Sequence, residues 1–92
     1  MKAVWKFPLA ITSIQKVIMP AGAKALTVND IAGEIFIWAE VKPKNQSSSR
    51  QVYIFGTGHQ IDLCESCKPL EYVGTVLQHN GALVWHVYVE GL

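Results

Sequence analysis

The sequence predicts an all-β domain, a small antiparallel sandwich or barrel of about seven strands. Three observations predict it. Short runs rich in β-branched and aromatic residues alternate with period two, the repeat of a pleated strand. Turn residues such as Pro20-Ala21-Gly22, Gly56-Thr57-Gly58 and Asn80-Gly81 separate the runs. No stretch carries the periodicity of a full amphipathic helix; Thr12 to Val17 could hold one turn, but its β-branched residues argue against more. At 92 residues, with no internal repeat and no dividing linker, residues 1–92 read as one domain.

The first run is Lys2 to Phe7, with Ala3, Trp5 and Phe7 on one side, and Pro8 is expected to end it because proline cannot donate to a ladder. The second, Ile14 to Met19, is expected to stop at Pro20-Ala21-Gly22. The third is Lys24 to Ile31. The fourth, Glu34 to Lys42, contains Ile35-Phe36-Ile37-Trp38-Ala39 and is apolar on both faces, as in a strand with one face in the core and the other in an interface. Pro43 to Ser49, with three consecutive serines, reads as a mobile hairpin tip. The fifth run, Arg50 to Phe55, sets Val52 and Ile54 against Tyr53 and Phe55. Gln60 to Pro69 is an irregular connection. The sixth run is Leu70 to Gln78, and Asn80-Gly81 then favours a tight turn because both positions tolerate positive φ. In the seventh, Leu83 to Glu90, Trp85, Val87 and Val89 oppose Val84, His86 and Tyr88. Most of the three Trp, three Tyr and three Phe are expected in the core, with Trp38 the best candidate for a groove.

Charged residues make up 16% of the chain against an average of about 25%, so a small domain with much surface to cover is expected to keep apolar area outside its own core. That composition predicts a homo-oligomer. The net charge is +1 and the cations are scattered, which argues against duplex nucleic acid. No apolar stretch is long enough to span a bilayer, and Lys6 and Pro8 interrupt any signal-peptide core. The expected place is the cytoplasm of a host cell, where Cys64 and Cys67 would be thiols or metal ligands. Their spacing is that of half a zinc site, but no second pair completes it, so no metal and no cofactor is expected.

Gly56-Thr57-Gly58-His59 is the most informative local feature. It follows a strand, and its glycines let the backbone turn sharply and approach a ligand. Free N–H groups in such a turn can form an anion nest, with Thr57 and His59 as polar handles. Arg50 and Tyr53, on the strand leading into the loop, are the expected sources of charge and of a stacking face. The competing reading is a glycine-rich strand exit with a backbone-bonded histidine. No nucleophile elbow is present, and a triad of Ser or Thr with His59 and Asp62 has only composition behind it, so no catalytic residue is assigned.

Trp5-Lys6-Phe7-Pro8-Leu9, Met19-Pro20-Ala21-Gly22-Ala23, Trp38-Ala39, Gly56-Thr57-Gly58-His59, Tyr72-Val73-Gly74-Thr75 and Gly81-Ala82-Leu83-Val84-Trp85-His86-Val87 occur together in this order. As a set they give the chain a resemblance to a family of small proteins of bacteriophages and prophages. The resemblance spans most of the chain, apart from the tip at 42–49 and the connection at 61–69, and transfers no catalytic residue. It implies a phage or prophage origin and small size. The first reading built on this is a non-enzymatic accessory protein that acts by protein–protein interaction on a host or phage protein. A protein that sequesters a small anionic ligand, such as a nucleotide signal, is the alternative, and a small enzyme centred on Gly56–His59 is a third reading.

Overall fold

The computed structural model describes residues 1–61 and 69–91. Seven strands follow in chain order: β1 (Ala3–Leu9), β2 (Ile14–Pro20), β3 (Lys24–Ile31), β4 (Glu34–Val41), β5 (Ser47–Gly56), β6 (Leu70–Gln78) and β7 (Leu83–Glu90). They form a three-stranded sheet of order β1-β4-β3 and a four-stranded sheet of order β2-β5-β7-β6, with every pairing antiparallel. The expected all-β sandwich is the observed fold. Among the described residues no helix is long and apolar enough to cross a membrane.

The core is aliphatic. Ile35, Ile37, Ala39 and Val41 of β4 face Val52 and Ile54 of β5, Val76 of β6 and Val87 and Val89 of β7. Fully buried residues alternate along β4 with less buried ones and deliver this inner face, since successive side chains point to opposite sides of a sheet. The aromatics mostly lie elsewhere, which corrects the expectation of an aromatic core. Trp5 is 41% exposed and Tyr72 55% exposed, and Phe36, Trp38, Phe55 and Tyr88 are half-buried on the outer faces. β-branched residues with few rotamers fill the narrow space between two sheets, and the rings cover the sheets from outside.

Two bulges tune the faces. In β3 the register shifts between Ala25 and Thr27, so Leu26 and Thr27 both lie outside and Val28 returns to the core. In β6 it shifts between Tyr72 and Gly74. β3 and β6 then run against each other at one side of the sandwich, where a Cβ on Gly74 would come 3.0 Å from Val28 Cγ1. Gln78 Nε2 donates across the same seam to the Gly33 carbonyl at 3.3 Å. β1 and β2 are the edges on the other side.

Besides one-residue shifts at the start of β1 and the ends of β4 and β5, three boundaries differ from the sequence reading. β1 continues through Pro8, paired with Phe36, to Leu9, and β2 continues to Pro20, paired with Ser47. Both are edge strands, where proline is tolerated because its missing N–H can face away from the ladder. Residues 43–49 are not a hairpin tip: β4 and β5 belong to different sheets, and Ser47–Ser49 pair with Ile18–Pro20. The crossing is tied down by Ala21 N donating to Gln46 O at 2.8 Å and by Asn45 Nδ2 donating to Ala21 O at 2.8 Å. Two turns use left-handed residues: Ala32 (φ 52°) and Gly33 (φ 90°) join β3 to β4, and His79, Asn80 and Gly81, all with positive φ, join β6 to β7.

Candidate functional site

The Gly56–His59 loop closes β5 with a turn in which His59 N donates to Gly56 O at 3.1 Å. Gly58 has φ 88°, the left-handed third position of a type II turn, which a side chain would strain. The His59 ring folds back so that Nδ1 accepts the Gly56 N–H at 3.2 Å. The loop thus satisfies its own strand end, and Thr57, Gly58 and His59 are left exposed.

The neighbouring strand supplies a residue that the sequence reading left outside the site. β5 pairs with β7 in a register that sets Phe55 opposite His86, and β7 pairs with β6 so that His86 faces Thr75. His86 Nε2 lies 2.7 Å from Thr57 Oγ1, and its Nδ1 lies 3.1 Å from Thr75 Oγ1. Thr75 Oγ1 is in turn bonded to the Tyr72 hydroxyl. The result is a continuous polar chain, Thr57–His86–Thr75–Tyr72, across the outer face of the second sheet. Both ring nitrogens of His86 are thus engaged. Only the β5–β7 register brings Thr57 and His86 together, and no local pattern encodes the pairing of strands distant in sequence.

An aromatic row lies beside this chain. Tyr53 stacks on Phe55 with centroids 6.1 Å apart, Phe55 meets Tyr88 edge-on at 5.8 Å, and Tyr72 packs on Tyr88 at 5.3 Å. A recess of about 230 Å³ is lined by the apolar Phe55, Tyr88 and Ile61 together with His86 and the loop residues Gly56, Thr57, Gly58 and His59. That lies below the ~300 Å³ at which pockets for drug-sized ligands begin. A second cleft of about 240 Å³ opens on the other side of His59, against Ile11, Thr12, Ile54 and Trp85.

Gly56, Thr57, Gly58, His59 and Tyr53 therefore belong to one neighbourhood, although Tyr53 is buried and its hydroxyl donates to Gln51 Oε1 at 2.8 Å. Arg50 does not join them. It shares strand parity with Val52 and Ile54, points inward, and donates from Nη1 to the Ala23 carbonyl at 2.6 Å in a buried contact. It also stands six residues from Gly56 along an extended strand, ~20 Å away. The charge expected from Arg50 is thus spent on holding the β2–β3 turn. Cys64, Cys67 and Asp62 lie outside the described residues. Among the described residues no group of three His, Cys, Asp or Glu side chains converges to hold a metal.

A second surface feature sits on the opposite side of the molecule. Row by row, the outer face of the first sheet carries Val4, Glu40 and Lys24; Lys6, Trp38 and Thr27; Pro8, Phe36 and Asn29. Val4 is 58% and Leu26 42% exposed, and with Trp38, Thr27 and Asn29 they line a shallow, open hollow of about 390 Å³. Lys6 Nζ stands 4.5 Å from the Phe36 ring centroid, and Lys2 bonds Glu40 at 3.2 Å.

Fold and surface together define a small antiparallel β-sandwich that presents a hydrogen-bonded histidine on one outer face and an apolar hollow on the other. The chain belongs to the family described as Domain of unknown function (DUF7352), whose model matches residues 1–91. No curated protein and no solved structure matches it.

Proposed function

We propose that this chain is a non-enzymatic accessory protein that acts by binding another protein through the outer face of its first sheet. The observation that carries the reading is the hollow between Val4, Leu26 and Trp38: three apolar side chains held open to water on a rigid sheet face, with a half-buried tryptophan as anchor. Tryptophan in such a setting is the side chain most often found at the energetic centre of an interface. The resemblance to small phage and prophage proteins supports a host or phage protein as the partner.

The face also constrains the partner's chemistry. Lys6 and Lys24 stand in the same rows as the hollow and Lys2 pairs with Glu40, the one carboxylate in these rows. A complementary partner inserts an apolar side chain and brings acidic residues to the rim. Two copies stacked on this face would bring together two rims of the same net sign, each with Lys2, Lys6 and Lys24 against Glu40, so the proposed occupant is a different protein. The open edges are poor docking sites for an added strand, because β1 carries Lys6 and Pro8 and β2 carries Lys16 and Pro20, a combination that guards edges against pairing. The anionic-ligand alternative is weakened by the inward turn of Arg50.

A random-peptide library selected on the immobilised protein tests this. Enriched peptides are expected to combine a large apolar residue with Asp or Glu, and to bind at least about tenfold more weakly to Leu26→Asp and Val4→Asp, both at exposed positions that should tolerate the change. Peptides indifferent to these substitutions would overturn the proposal. So would a dimer in light scattering that Leu26→Asp dissociates, which would make the face a self-interface.

A further inference from the structure

We infer that the recess beside Thr57 and His86 is a binding site for a neutral, planar heteroaromatic ring of the nucleobase class. The inference goes beyond the interaction surface above and uses the opposite face of the molecule. Three observations converge on it.

The first is shape. The recess of about 230 Å³ is bounded by Phe55, Tyr88 and Ile61, and the first two belong to the aromatic row on the sheet surface. A cleft of this size suits one fused ring system and not a drug-sized molecule. Aromatic walls favour a flat π-system, and stacking on such walls is tolerant of which base is bound.

The second is charge. Among the described residues no Lys, Arg, Asp or Glu lines the recess, whose titratable side chains are His59 and His86, and Arg50 is buried elsewhere. A phosphate placed here would lose water without meeting a lysine or arginine among the described residues, whereas an uncharged ring gives up far less hydration.

The third is the polar chain. A hydroxyl has one donor and two acceptor sites, and the bond to His86 uses one of them in Thr57. If His86 carries its proton on Nε2, it donates to Thr57 and the Thr57 hydroxyl is free to donate outward. If the proton is on Nδ1, it goes to Thr75, Thr57 donates to Nε2, and the Thr57 oxygen is free to accept. The hydroxyls of Thr75 and Tyr72 can reorient with either arrangement. Thr57 therefore presents a fixed oxygen that answers a donor or an acceptor on the ring edge, and nucleobases display both side by side. A ligand with only acceptors or only donors would not need this reversibility.

Amide NMR titration of the full chain with adenosine, cytidine, AMP and inorganic phosphate tests the inference. The nucleosides are expected to give saturable shifts at Thr57, Gly58 and His86, AMP is expected to match adenosine, and phosphate alone is expected to move none of them. Thr57→Val, at an exposed position, should weaken nucleoside binding about fivefold to tenfold, and Thr57→Ser should restore it. Leu26→Asp on the other face should leave it unchanged, which separates this inference from the interaction proposal. Absence of saturable nucleoside shifts, equal binding by Thr57→Val, or shifts produced by phosphate alone would overturn it.

Discussion

The imidazole of His59 occupies the space that a side chain at Gly56 would need: a Cβ there would lie 2.9 Å from His59 Cε1 and 3.1 Å from Nδ1. The same ring accepts the Gly56 N–H. Gly56 is thus required by a neighbour three residues ahead, whereas Gly58 is required by its own backbone angle. Gly56→Ala is expected to displace the ring and break that bond, at a cost of ~1 kcal/mol. In a His59→Ala background the same substitution should cost close to nothing. A double-mutant cycle in urea measures the coupling, and additive effects would refute the packing relationship.

Gly74 plays a different part. Its missing side chain lets β6 approach Val28 of β3. Gly74→Ala should destabilise the domain by ~1–3 kcal/mol through overpacking against the stiff, β-branched side chain of Val28. Val28→Ala opens space at the same point, so the double variant should be more stable than the sum of its parts predicts. Thermal melts of the four proteins decide it.

Ala32 holds φ 52° in the two-residue turn between β3 and β4, beside Gly33. Alanine is poorly suited to a left-handed position, and asparagine is the residue that such a turn prefers first. Ala32→Asn is expected to stabilise the protein by ~0.5–1 kcal/mol, a rise of a few degrees in Tm for a domain of this size. The Asp30 carboxylate, which accepts from Gly33 N at 2.8 Å, should be kept in that variant.

Arg50 is a structural cation. Its removal in Arg50→Met leaves the Ala23 carbonyl without its buried donor, which should cost ~1–3 kcal/mol. Nucleoside titration of the folded variant should be unchanged. An altered titration would return Arg50 to the site from which the structure separates it.

The sequence made the strands legible wherever a run alternated and ended on a turn. β3, β6 and β7 begin and end where the patterns place them. The start of β5 was hidden because Ser47-Ser48-Ser49 has no apolar alternation, and its place in the sheet comes from the β2 ladder. The two prolines misled because proline ends a central strand but not an edge strand, and edge status depends on strand order. Order itself was out of reach, since β1 pairs with β4 and β2 with β5 across intervening chain. At the site, the loop residues were readable from their glycines. His86 was not, because a cross-strand neighbour two strands away leaves no local signal. Arg50 is the instructive miss: its alternation with Val52 and Ile54 already pointed it inward, and its charge drew attention away from its parity.

The seam between β3 and β6 makes the molecule resemble a book bound along one long side. The binding carries the Gly74–Val28 approach and the Gln78–Gly33 bond, while the β1 and β2 margins carry Pro8 and Pro20 and have no strand beyond them among the described residues. The fluctuations that admit water should therefore start at the fore-edge and reach the binding last. Backbone amides of β4 and β7, which are central in their sheets, should outlast those of β1 and β2 in hydrogen exchange. The β3–β4 and β6–β7 hairpins, joined by short left-handed turns and meeting at the binding, are the parts with the least chain to close, so they form the natural nucleus onto which the two margins are laid.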